Sequence, residues 1–316
     1  MEPVASATVL SDQEGDERWT PRRNSRCDTP SGCPTGASTR IPVCCATWEC
    51  SRSGPAGTAS SSWDGQVAEH PDEHVTDSWT TLATIAADTE RLRLGVMVNV
   101  LALKHPAEVA RATVTLDLLS GGRLVFGAGL GSSAAEFQAL GHDPDPRVRA
   151  EKLDEALQVL DGLWAGHPFT FHGRWFTVTD LAFQPVSPQR PRIPVWIAGT
   201  WPSRRPMRRA ARWDGAFPTR AGLGHTQMMP PSDLEAVVSY VHAQQSIRNR
   251  PFDVVMEGLT SGSQQDTDAM VVAPYRAAGL TWWVEKLGWF RGPVELVRAR
   301  IGSGPPRPAN PRADVA

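Results

Sequence analysis

Three glycines at alternating positions, Gly127, Gly129 and Gly131, followed by Ser132, form the segment of this chain best suited to hold a ligand. On a strand, residues two apart share a face. One edge then carries no side chains, and a flat ring or a phosphate can approach the backbone. The same pattern suits a strand that bends inside a tight barrel, and the residues alone leave both readings open. Two other strand ends carry comparable chemistry. Asn99, in GVMVNV, presents an amide; the competing reading is a turn-side amide bonding its own backbone. Gly199 and Thr200 precede a helical stretch, so helix N-terminal N–H groups would point at a phosphate there, or Thr200 would merely cap the helix.

The remaining polar clusters read as less specific. Arg204, Arg205, Arg208, Arg209 and Arg212 cover more than one face of a short helix, so most are solvated, with Arg204 the candidate for a phosphate contact. His105 stands before Pro106 at a helix start, which suits a cap or the surface better than catalysis. Trp282 and Trp283 must point to opposite sides of a strand, and core packing is the default for both. The five cysteines, Cys27, Cys33, Cys44, Cys45 and Cys50, are spaced C-x5-C-x10-C-C-x4-C. That spacing has no paired knuckles and no nearby histidine, so no metal site is expected. The odd count and the absence of an apolar leader core argue against a disulfide framework and for a cytoplasmic setting.

The elements that position these residues alternate. Helical spacing over Thr76–Thr89 is followed by a strand at Leu92–Leu101, a helix from Pro106 to Leu118 and a strand at Arg123–Gly127. Next come a long helix at Arg147–Trp164, a strand at Pro194–Gly199, a helix at Arg204–Arg212 and a strand at Gly215–Thr219. A helix at Ser232–Ile247, a strand at Phe252–Leu259, a helix at Asp266–Ala278, a strand at Leu280–Lys286 and a helix from Pro293 complete the order. Repeated strand–helix units imply a parallel sheet covered by helices, and at this length a closed (β/α)8 TIM barrel is the leading form.

From about Trp63 to Pro306 the chain resembles the bacterial luciferase-like family of flavin-dependent oxidoreductases. The resemblance rests on TERLRLG, TLDLLSGGRL, GAGLG, EFQALG, FHGRWF, PVWIAG and RWDG, which occur in that order. It implies a TIM barrel that binds FMN or the deazaflavin F420 at the C-terminal strand ends, for monooxygenation with O2 or for hydride transfer on a small organic substrate. It also implies that Gly129, Leu130, Gly131 and Ser132 hold part of the cofactor's ribityl-phosphate arm, that Asn99 faces its ring, and that the chain is a homodimer. Family members often carry a histidine after the second-strand Trp-Asp, whereas here Gly65 and Gln66 follow Trp63 and Asp64, so no catalytic residue is assigned. The runner-up is a noncatalytic, damaged barrel with weak or no cofactor binding.

Damage is suggested by a strand count. The clear strands match the third through eighth of a barrel, and the first strand, first helix and most of the second strand should precede Trp63. Residues 1–62 instead show neither periodicity. A two-base shift across Gly54–Ser62 permits AGWDGFFL just before Trp63 and Asp64, a fitting second strand, so this segment reads as out of frame or disordered. The expected divisions are therefore 1–62, a barrel domain at 63–302 and a flexible tail at 303–316. Losing two strands would leave the third and eighth unpaired, although the IPVCCATW run could supply a makeshift strand.

Composition fits an ordinary enzyme. The formal charge is −2, 41% of residues are apolar, and no run of eighteen apolar residues occurs, so neither a nucleic-acid partner nor a membrane span is indicated.

Overall fold

The computed structural model describes the backbone of residues 47–49 and 58–62, together with residues 76–246 and 250–306. Helix α1 (Ser78–Asp88) starts at Asp77, whose carboxylate accepts from Thr80 N at 2.7 Å. Strand β3 (Arg93–Val100) leads to α2 (Pro106–Ser120), which has Pro106 in its first turn. His105 is its N-cap, and its Nδ1 accepts from Ala107 N at 3.3 Å, the capping role expected for it. The helix stops at Gly121 (φ 67°), where Gly121 N and Gly122 N return to Leu118 O and Asp117 O at 3.0 and 2.8 Å. A left-handed residue is needed there, which explains the first glycine of SGGR.

Strand β4 (Leu124–Gly129), α3 (Ala134–Ala139) and α4 (Pro146–Trp164) follow. A two-stranded antiparallel excursion, β5 (Phe169–His172) with β6 (Thr177–Leu181), then precedes β7 (Val195–Trp201). Its turn is fastened by Glu155 on α4, which accepts from the N–H groups of Arg174, Trp175 and Phe176 at 2.8 to 3.1 Å. Next come α5 (Arg204–Ala210), β8 (Gly215–Arg220), α6 (Pro231–Gln244) and β9 (Asp253–Gly258). Helix α7 (Gln265–Ala277), β10 (Trp282–Glu285) and α8 (Val294–Gly302) end the described chain.

Two short strands lie ahead of these, β1 (Thr47–Glu49) and β2 (Thr58–Ser62). The eight wall strands close in the order β1-β10-β9-β8-β7-β4-β3-β2. Strand β2 pairs with β3 in parallel, whereas β1 runs antiparallel to both β2 and β10. The expectation that β3 and β10 would have bare edges is thus corrected. Both are paired, and residues 47–49 at the end of the IPVCCATW run supply the makeshift strand. The remainder of residues 1–62 and of the tail 307–316 lies outside the described residues.

The core has an outer and an inner layer. Leu94, Val96, Leu124, Phe126, Ile197 and Ala216 pack outward against Leu82, Val109, Leu153, Leu160 and Val237 of the helices. Met97, Val125, Trp196, Phe217, Val255 and Val284 fill the barrel interior. At roughly 1.5–3 kcal/mol per fully buried large apolar side chain, the outer layer is the larger stabilising term. Alternation then fixes the two final tryptophans as expected: Trp282 packs inward on Trp196, and Trp283 packs outward on Tyr275.

Two polar residues of the SGGR region serve this scaffold. The Arg123 guanidinium donates to the carbonyls of Ala86, Thr89, Leu92 and Ser120, tying α1 to the start of β3. Asp117 accepts from Leu124 N, Ser187 Oγ and Gln189 Nε2 at 2.6 to 3.0 Å, joining α2, β4 and the segment before β7.

Candidate active site at the barrel mouth

Parity along each strand identifies the lining of the barrel. Met97, Val125, Trp196, Phe217, Val255 and Val284 belong to the inner cluster, so Gly129, Ala198, Thr200, Thr219, Glu257 and Lys286 continue the same face toward the C-terminal strand ends. Burial changes along that direction. Phe217, Val255 and Val284 are buried, Ala198, Glu257 and Lys286 are half-buried, and Thr200 and Thr219 are exposed. The interior is therefore an apolar floor beneath a polar opening, and active sites of barrels sit at this end.

The glycine run rims this opening, and its faces are filled. A Cβ at Gly127 would lie 2.4 Å from Val96 O, and one at Gly129 would lie 2.5 Å from Val98 Cγ2. At Gly131 (φ 74°) it would lie 2.9 Å from Val100 Cγ1 and 3.1 Å from Phe137 Cε2. The spaces that would admit a ring at Gly127 and Gly129 hold the backbone and side chains of β3, so of the two readings the close approach of strands explains these glycines. A bulge drives that approach: Val96 pairs with Phe126 but Asn99 with Ala128, so β3 carries one extra residue there. Met97 and Val98 both reach the inner cluster as a result.

The other sequence candidates divide between rim and scaffold. Asn99 is fully buried, and its Nδ2 donates to Gly127 O at 2.9 Å. It shares the face of its register partner Ala128, which packs in the outer layer, so Asn99 is not on the inner face expected of a residue facing the cofactor ring. Its Oδ1 has no hydrogen-bond partner among the described residues. Leu130 and Gly131 are half-buried and Ser132 is exposed, in the loop between β4 and α3. Gly199 is close to α5, since a Cβ there would be 2.1 Å from Pro206 Cβ. Thr200 Oγ1 lies 3.2 Å from Thr219 Oγ1 across the rim. Helix α5 starts at Arg204, as expected, and ends at Ala210, two residues short of Arg212; its N-cap Ser203 makes no side-chain hydrogen bond.

The arginines of that helix are mostly committed elsewhere. Arg209 is buried and grips Asp154 of α4 through Nε and Nη2 at 2.7 and 2.8 Å, with Arg212 adding 3.1 Å. Arg204 lies over the Tyr240 ring at 5.3 Å.

Two groups, Arg149 and Glu257, escaped the sequence reading. Arg149 of α4 is buried against Phe137 and donates to Gly131 O at 3.1 Å, placing a cation behind the glycine loop. Glu257 of β9 and Lys286 after β10 face each other at 3.8 Å, each with a side chain 16% exposed. Burial pushes the Glu257 carboxyl above its ordinary range, and the opposing effect of Lys286 is smaller. Lys286 Nζ also reaches His225 O and Gln227 O at 3.3 and 3.5 Å, fastening the loop after β8. The signal for Glu257 was present in DVVMEG, where Asp253, Val255 and Glu257 alternate on one face. Among the described residues no group of three metal-ligating side chains occurs, and no helix is long and apolar enough to cross a membrane.

A barrel of seven parallel wall strands closed by antiparallel β1, with a polar opening at the C-terminal ends of the parallel strands, defines the class of protein. Residues 61–288 match the family model described as luciferase-like monooxygenase, and the chain belongs to that family. It is 32% identical over 176 residues to an F420-dependent glucose-6-phosphate dehydrogenase of Beutenbergia cavernae, covering 54% of this chain and 51% of that protein. Over 142 residues it is 39% identical to limonene 1,2-monooxygenase of Rhodococcus erythropolis, covering 44% of this chain and 36% of that protein. The chain thus spans about half or less of the length of these relatives. In fold it is similar to the oxygenating constituent of 3,6-diketocamphane monooxygenase from Pseudomonas putida, solved with FMN. That match has TM-score 0.53 and 16% identity over 67% of this chain and 61% of the other.

Proposed function

We infer that this chain is an oxidoreductase that binds FMN or F420 at the barrel mouth and acts on a small organic substrate. The observation that carries the reading is the half-exposed inner-face layer above an apolar floor, rimmed by the Gly129–Ser132 loop, in a chain of this family. Relatives named as F420-dependent dehydrogenases and as monooxygenases support both cofactor classes. The residues fit the flat part of such a group better than its phosphate. Phe217, Val255 and Val284 offer an apolar bed. For the phosphate arm, the candidates are the Gly131–Ser132 backbone with Arg149 behind it, and Gly199 and Thr200 ahead of α5. When bound, either group supplies hydride transfer, and reduced flavin also supplies reaction with O2. The protein's part is to hold, orient and desolvate.

We propose that residues 1 to about 62 are out of frame, a reading that rests on the spelling AGWDGFFL permitted by a two-base shift across Gly54–Ser62. The nucleotide sequence across codons 33 to 64 tests that reading directly. A noncatalytic barrel is the second reading, favoured by the three-residue antiparallel β1 in the wall. Titration of the full chain with FMN and with F420 separates the two: saturable binding of either supports the enzyme, and binding of neither supports the damaged barrel. The blocking variant should be Ser132→Glu on the exposed rim, because Gly131→Glu would strain a left-handed residue whatever binds there.

A further inference from the structure

Two other carboxylates of the barrel wall, Asp253 and Glu285, are consumed by the scaffold. Asp253, at the far end of β9, accepts from Trp196 Nε1 and Trp282 Nε1 at 3.0 Å and from Thr281 Oγ1 at 3.2 Å. Glu285 faces outward and accepts from Thr260 N and Oγ1, Trp283 Nε1, Arg291 and Arg300. Glu257 makes no hydrogen bond among the described residues, and its charged neighbour is Lys286 at 3.8 Å. Its register partner on β10 is Val284, and the inner-face residues of β8 are Phe217 and Thr219. Among the described residues the carboxyl therefore stands over the apolar floor with acceptor positions unused, at the opening where a substrate would enter.

We propose that Glu257 is the proton-exchanging residue for an alcohol–carbonyl couple bound in the mouth, with Lys286 as its positioning residue. This rests on the oxidoreductase reading above. In the oxidising direction the substrate O–H proton passes to a Glu257 carboxylate oxygen. The carbinol C–H leaves as hydride to an oxidised flavin or deazaflavin, and the O–H bonding pair becomes the second C–O bond. Reduction of the carbonyl reverses each transfer. A carboxyl whose proton affinity burial has raised keeps its proton to higher pH than an ordinary carboxylate, which suits it to giving and taking one. Lys286, held by two loop carbonyls, is the fixed charge that favours its ionised form.

The test uses the full chain loaded in turn with oxidised F420 and oxidised FMN, with 2-propanol, 2-butanol and cyclohexanol as probes. Wild type is expected to reduce one cofactor with at least one probe. Glu257→Gln should lower kcat/KM by about a hundredfold or more, abolish the acid limb of the pH profile and leave cofactor affinity unchanged, and Glu257→Asp should restore part of the rate. Independently of turnover, NMR of chain carrying 13C-carboxyl glutamate should show a signal absent in Glu257→Gln that titrates above the ordinary range, and higher still in Lys286→Met. An ordinary Glu257 titration, no oxidation of any probe by cofactor-loaded wild type, or equal rates in Glu257→Gln would each overturn the proposal while leaving the oxidoreductase reading intact. Binding of neither cofactor would overturn both.

Discussion

Adding one methyl group at Gly129 separates the two explanations of the glycine run. An alanine Cβ there would sit 2.5 Å from Val98 Cγ2 and 3.5 Å from Ala198 Cβ. Carbon atoms in contact prefer about 3.5–4.0 Å, so the first approach is short by about an ångström. Val98 cannot easily turn aside, because a β-branched side chain on a strand has few χ1 choices. Overpacking of this kind costs about 1–3 kcal/mol, which for a domain of this size lowers Tm by roughly 2–4 °C per kcal/mol. Val98→Ala alone removes two half-buried methyl groups and should cost about 1 kcal/mol. In the double variant the clash disappears, so its loss should fall below the sum of the single losses by about 1–2 kcal/mol. Urea unfolding of the four proteins at fixed pH measures this coupling. Strictly additive losses would refute the packing explanation, and recovered stability without recovered FMN or F420 binding would show that ligand also touches this edge.

Other perturbations have equally definite outcomes. Glu285→Gln removes a buried charge facing Arg291 and Arg300, and should cost about 3–5 kcal/mol, read by the same urea titration. Asp154→Asn weakens the Arg209 clamp between α4 and α5; with the carboxylate partly exposed, the loss should be nearer 1–2 kcal/mol. Glu257 has a folded-state pKa above its unfolded value, so the folded state binds the extra proton, and stability falls as pH rises from the unfolded pKa through the folded one. Glu257→Gln should flatten that decline, and a Tm difference between the two proteins that does not grow with pH over this window would contradict it. Arg149→Met should free the Gly131 carbonyl, raising amide exchange in the Gly131–Ser133 loop while exchange in β9 stays unchanged.

The alternation of strand and helix was legible because it rests on local signals: Pro106 at a helix start, a left-handed Gly121 at its end, and apolar runs such as Leu124–Gly129. The β5–β6 hairpin was missed because its strands are short and alternate weakly, and its turn is held by Glu155, a residue distant in sequence. The site was less legible for a related reason. Gly127 and Gly129 announce absent side chains, but only the bulge in β3 reveals that Val96, Met97 and Val98 occupy the space. Glu257 and Lys286 lie twenty-nine positions apart; alternation in DVVMEG puts Glu257 on the inner face, but only the pairing of β9 with β10 brings the two together. Strand β1 was foreshadowed by the apolar IPVCCATW run, but its pairing with distant β10 is not a local signal.

Fluorescence titration of the purified full chain with FMN and with F420, repeated on Ser132→Glu, tests the central claim most directly. The account predicts saturable binding of one cofactor by wild type and a large loss of affinity in the variant, from like-charge repulsion of the phosphate at the rim, with the variant still folded cooperatively in a thermal melt. No binding by wild type, or equal affinity in the two proteins, would contradict it.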